Sequence, residues 1–116
     1  MVASEGHLDL EALQDLKEIV ESEFETLVNT FVADSSQKLD ALTSAIAVDD
    51  ADEIRKTAHS LKGSSSNVCA NRFSELARQL EDMARKNDLS SAKALHEQLS
   101  SEFSTVARLL EDQLQS

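Results

Sequence analysis

Residues 54–68 read Ile54-Arg55-Lys56-Thr57-Ala58-His59-Ser60-Leu61-Lys62-Gly63-Ser64-Ser65-Ser66-Asn67-Val68. Ile54, Leu61 and Val68 recur every seven residues, with Ala58 and Ser65 between them. That spacing puts one buried stripe along an α-helix. Gly63 and the three serines allow a different reading, in which the helix stops at Gly63 and Ser64-Ser65-Ser66 form a loop. Val68 keeps the apolar register beyond that point, so the stretch reads as one helix. At about 100° per residue, His59 then lies nearly opposite the stripe. Lys62, Gly63 and Ser66 follow it at i+3, i+4 and i+7 and share its face. His59 therefore projects into solvent beside an ammonium group and a length of bare backbone.

Outward from this helix the pattern repeats. Asp49, Asp50 and Asp52 precede it, where acids suit a helix N-terminus. Before them, Phe24, Leu27, Val28, Phe31, Leu39, Leu42 and Ile46 fall at helical steps interrupted by Ser35 and Lys38. Ser22-x-x-Glu25 has capping-box spacing at the start of that run. Leu10, Leu13, Leu16 and Val20 predict a short first helix from about Asp9. Downstream, Asn71 is a candidate cap for a helix carrying Phe73, Leu76, Ala77, Leu80, Met83 and Ala84. Asn87-Asp88 breaks the pattern, and Ala92, Leu95, Leu99, Phe103, Val106, Leu110 and Leu114 form the last stripe. One short and four longer amphipathic segments bury their faces most economically as an antiparallel four-helix bundle with an additional short N-terminal helix.

Composition agrees. The 116 residues include no Pro, Trp or Tyr, two Gly, one Cys and four Phe. Turns in β-proteins lean on Gly and Pro, whereas helix interiors exclude them. The length and 41% apolar content suit one domain over residues 1–116. A formal net charge of −11 argues against nucleic-acid or anionic-membrane binding, which need a basic footprint. One Cys excludes an internal disulfide and a zinc cage; Cys69 reads as a half-buried packing residue. No apolar run reaches membrane-span length and no signal peptide opens the chain, which makes the cytoplasm the default location. No His, Asp or Glu positions have metal-ligand spacing, and nucleotide-binding and hydrolase motifs are absent. His7 is expected in a frayed terminus, and His96 at the edge of the last stripe.

Gly63 carries more information than its size suggests. Glycine inside a helix costs about 1 kcal/mol relative to alanine, yet it stands one turn beyond an exposed His. Close approach of another molecule to that face is a physical reason. An exposed imidazole can attack phosphorus, and a nearby ammonium offsets the charge of a phosphoryl group.

The stretch from Ala58 to Val68 resembles the signature of the histidine-containing phosphotransfer (HPt) domains of bacterial and eukaryotic phosphorelays, and the resemblance extends over the chain in length and helix order. It implies that His59 is the phosphoacceptor, through Nε2, and that Lys62 stabilises the phosphoryl group. Gly63 would clear space for the partner. The family commonly places a Gln or similar residue 22 positions after the His to bond its Nδ1; here that position is Glu81. A carboxylate there would fix the tautomer and sharpen Nε2 as a nucleophile. Ser66 and Arg85 would touch the same surface. Many members carry Gly where this chain has Cys69, so the turn after Val68 is where its geometry should differ.

The resemblance implies a phosphoryl carrier, not an ATP-using enzyme, that needs no cofactor. Its partners would be receiver domains of hybrid sensor kinases and response regulators, with Mg2+ held by the receiver. A monomer would leave the His59 face open. Residues 1–53 carry 14 acidic and 2 basic side chains, against 8 and 9 in residues 54–116. The His59 region is thus a basic island suited to an acidic receiver face. Leu10, Leu13 and Phe24 are candidates for nearby apolar docking area as well as for the core. The alternative is a helical adaptor that binds a receiver-like partner without phosphotransfer.

Overall fold

The computed structural model describes residues 6–115, so the expectation of one domain over 1–116 reaches past it at both ends. Five α-helices follow one another: α1 Leu10–Val20, α2 Phe24–Ala47, α3 Ala51–Asn67, α4 Asn71–Arg85 and α5 Ala92–Leu114. A single 3-10 turn, Glu21–Glu23, joins α1 to α2. The last four helices form the expected bundle. Short connections make sequence neighbours antiparallel, and α2 packs on both α3 and α5, closing the ring. The most intimate pair is α3 and α4. Leu13 of α1, Phe24, Val28 and Leu42 of α2, Ile54 and Leu61 of α3, Phe73 and Leu80 of α4, and Leu99 and Val106 of α5 share one core. Leu13 and Phe24, weighed above as docking residues, are buried in it; Leu10 is half-buried.

Helix starts follow local chemistry in two cases. Asp9 caps α1 by accepting from the Ala12 N–H at 3.1 Å, and Asp50 caps α3 through the Glu53 N–H at 3.1 Å. Two sequence expectations need correction. Ser22 makes no capping box, because the chain turns through the 3-10 segment and α2 starts at Phe24 without a side-chain cap. Asn71 is the first helical residue of α4 and Ala70 occupies the cap.

Helix ends explain how so few glycines suffice. After α2, Asp50 N–H donates to Ala45 O at 2.9 Å and Asp49 N–H to Ile46 O at 3.2 Å. The same pair of bonds follows α3 (Ala70 to Ser65 O, Cys69 to Ser66 O) and α4 (Asp88 to Met83 O, Asn87 to Ala84 O). These are Schellman motifs, whose central residue is left-handed and usually Gly. Here Asp49, Cys69 and Asn87 take it, at φ 53, 63 and 54°. Asp and Asn tolerate this region; Cys has no such local compensation. The turn after Val68 thus keeps the geometry of the other two, against the expectation that it would differ; what is unusual is a Cys in the left-handed place. Its thiol is half-buried, and burial raises its pKa, with the Asp9 charge adding to the effect.

α2 runs unbroken through Ser35 and Lys38. Lys38 reaches outward to Asp34 at 2.6 Å. Ser35 occupies a core position, fully buried, with its hydroxyl lacking a partner. The N-terminal segment is not frayed at His7. Leu8 is buried, Asp9 N–H donates to Cys69 O at 2.9 Å, and His7 Nδ1 lies 2.8 Å from Oε2 of the buried Glu102. His96 sits at the edge of its stripe, with Nε2 donating to Leu39 O at 2.9 Å. Among the described residues no helix is long and apolar enough to cross a membrane.

Candidate functional site

α3 continues through Gly63 to Asn67, so the periodicity of its buried stripe overrides the local signal to stop. Ile54, Ala58, Leu61 and Ser65 face the core, and His59 stands on the other side with 66% of its side chain exposed. Across the seam, α4 places Glu81 opposite it. Only 4% of that side chain is exposed, so Glu81 is no solvated surface acid. His59 Nδ1 lies 2.8 Å from Glu81 Oε2. Lys62 Nζ lies 2.8 Å from Oε1, and Arg85 Nη2 is 3.1 Å from Oε2. Three nitrogen donors thus surround one buried carboxylate.

The electrostatics follow from that arrangement. Burial is the largest influence on Glu81 and raises its pKa. The hydrogen bonds from Lys62 and His59, with the charges of both, outweigh burial and hold the group below its ordinary value. An ionised carboxylate only accepts. Whenever the imidazole is neutral it therefore carries its proton on Nδ1 and donates it to Glu81, which leaves the Nε2 lone pair free. The chemistry available is that of an oriented nitrogen nucleophile in open solvent, with an ammonium one turn away.

The other predicted residues surround this centre. Gly63 is exposed, and a Cβ built on it would meet nothing within 4 Å; the fold itself does not demand glycine there. Ser66 is exposed, with its hydroxyl donating to Lys62 O at 3.0 Å and paired with Ser74 Oγ at 2.8 Å. Arg85 also donates to Asp82 Oδ1 at 2.9 Å, which anchors it at the rim. Sequence reasoning passed over Ser74; its signal is position, seven residues before Glu81 on the same face of α4. The basic island is mostly paired: Arg55 and Lys56 with Asp52, Arg72 with Glu102, Arg78 with Glu75 and Asp82. Its long-range field is correspondingly weakened. No group of three or more His, Cys, Asp or Glu side chains among the described residues is arranged to hold a metal ion.

The chain belongs to the Hpt domain family, whose model matches residues 26–115. Membership carries the family's general role, histidine phosphotransfer within a phosphorelay. Among solved structures it is similar to the crystal structure of histidine-containing phosphotransfer protein B (HptB) from Pseudomonas aeruginosa PAO1. The two share 41% sequence identity and superpose with a TM-score of 0.91, over 94% of this chain and 95% of that one. No curated protein matches the sequence at comparable significance.

Proposed function

We propose that the chain is a phosphoryl carrier of a multistep phosphorelay, with His59 as the phosphoacceptor. The observation that supports this most directly is the His59–Glu81 pair, which combines a buried anion on Nδ1–H with a solvent-facing Nε2. The donor is the aspartyl phosphate of a receiver domain, as in a hybrid sensor kinase. The Nε2 lone pair forms the N–P bond while the P–O bond to the donor Asp breaks, and the Asp carboxylate leaves with that electron pair. The ring gains positive charge, which Glu81 offsets through the Nδ1–H bond, so no proton has to depart. Transfer onward to a response-regulator receiver reverses these bond changes.

Lys62 offsets the charge of the bound phosphoryl group. Gly63 admits the receiver backbone, and Ser66 and Arg85 form the rim it meets. Mg2+ serves from the receiver's site, and this chain uses no cofactor and no ATP. It works as a single Hpt domain, as a cytoplasmic monomer whose His59 face stays open. The test is incubation with a 32P-labelled phosphoreceiver. Wild type should acquire acid-labile, base-stable label, and His59→Ala should acquire none. Binding without label would favour an adaptor, and label persisting on the variant would place the acceptor elsewhere.

A further inference from the structure

About two turns along from the His59–Glu81 pair, the two helices meet again through hydroxyl groups. Ser66 Oγ and Ser74 Oγ are 2.8 Å apart and lie 3.0 and 3.1 Å from the carbonyl of Lys62; with one proton apiece, one hydroxyl donates to that carbonyl and the other to its partner's oxygen. Ser65 Oγ, 3.1 Å from the same carbonyl, lies closer to Leu61 O at 2.7 Å and donates there. Ser74 is the only one of the three on α4, so its bonds cross the seam. Ser66 lies seven residues after His59, and Ser74 seven before Glu81. In an antiparallel pair of helices that makes the serine pair the next rung of the same ladder.

Beside these rungs the seam also carries small residues. The buried residues Ala58 and Ser65 on α3, and Ala77 and Ala84 on α4, recur every seven positions and are small. Small side chains let helices approach closely but interlock weakly along the axis. Helix shifts in proteins run to about 1–2 Å, and such a shift exceeds the tolerance of a hydrogen bond. Glu81 would then no longer meet Nδ1 of His59 and Nζ of Lys62 together.

We propose that Ser74, with Ser66 as its partner, is a positioning residue for phosphotransfer. It pins the axial register of α4 against α3 at the Lys62 carbonyl, and so keeps Glu81 opposite His59. This rests on His59 being the acceptor, but its first readout does not. Ring 15N spectra of His59 in the unphosphorylated chain report the tautomer directly. Wild type should show one predominant form, protonated on Nδ1. Ser74→Ala should move both ring nitrogens toward the averaged values of a free imidazole and slow transfer from a phosphoreceiver by about tenfold. Ser74→Thr, which keeps the hydroxyl, should restore both.

Val106→Ala, a core truncation on α5, controls for stability: it should lower the unfolding midpoint and leave the His59 spectrum unchanged. Wild-type His59 shifts in Ser74→Ala would overturn the pin, as would equal spectral change in Val106→Ala. Absence of label on wild type, with the spectral changes intact, would instead overturn the carrier reading and leave the pin standing.

Discussion

A methyl group at position 63 would meet nothing within 4 Å, so the fold does not require glycine there, and the proposed approach of a receiver is the reason assigned to it. Helix propensity then predicts that Gly63→Ala raises stability by about 1 kcal/mol. The same variant should slow receiver-to-His59 transfer by about tenfold or more, because the donor is held off the ring. Urea unfolding and a transfer time course read the two effects separately; unchanged transfer would remove Gly63 from the docking face. Glu81 gives a pH prediction. Its carboxyl is held below its ordinary value, so its stabilisation is complete above the unfolded value and lost as pH falls through the folded one. The stability difference between wild type and Glu81→Gln should therefore shift against wild type as pH falls below the ordinary carboxylate range. Urea midpoints over that fall in pH measure it, and a pH-independent difference would count against an ionised Glu81.

At the scale of elements, each bundle turn is closed by one left-handed residue, and only Cys69 among the three lacks a side chain suited to it. Cys69→Gly removes the Cβ clash and adds some unfolded-state entropy. The net should be a gain of about 0.5–1 kcal/mol, read as a higher urea midpoint with an unchanged slope. A loss would mean that thiol packing against the N-terminal segment outweighs the backbone strain. Ser35 lies on the buried side of α2, where its unpartnered hydroxyl opposes folding and the stripe on either side of it carries the helix.

At the scale of the molecule, Phe31 of α2, Phe73 of α4 and Phe103 of α5 converge, with ring centroids 6.3 to 6.4 Å apart. Phe73 is fully buried at that junction. Phe73→Ala should cost about 3–5 kcal/mol, and circular dichroism at 222 nm during urea unfolding would show it. A cost near that of a surface substitution would place the core elsewhere.

Much of this architecture was legible before any coordinates. Apolar spacing identifies five helices because each must bury one face, and the near-absence of Gly and Pro removes the competing folds. Helical angle alone puts His59, Lys62 and Gly63 on one open face, whereas Glu81 comes only from the family resemblance. Capping was less legible: Ser22 and Asn71 have the right chemistry, but the chain path past Val20 and Val68 places the helix starts elsewhere.

Tertiary structure decided the remainder. Whether Glu81 is a solvated acid or a buried anion depends on how α4 seats against α3, which no local pattern encodes. The same seating joins Ser74 to the Lys62 carbonyl across the seam. His7 likewise found Glu102, which lies 95 residues away. Periodicity is a property of one helix and survives in the sequence; register between two helices arises only when their side chains meet.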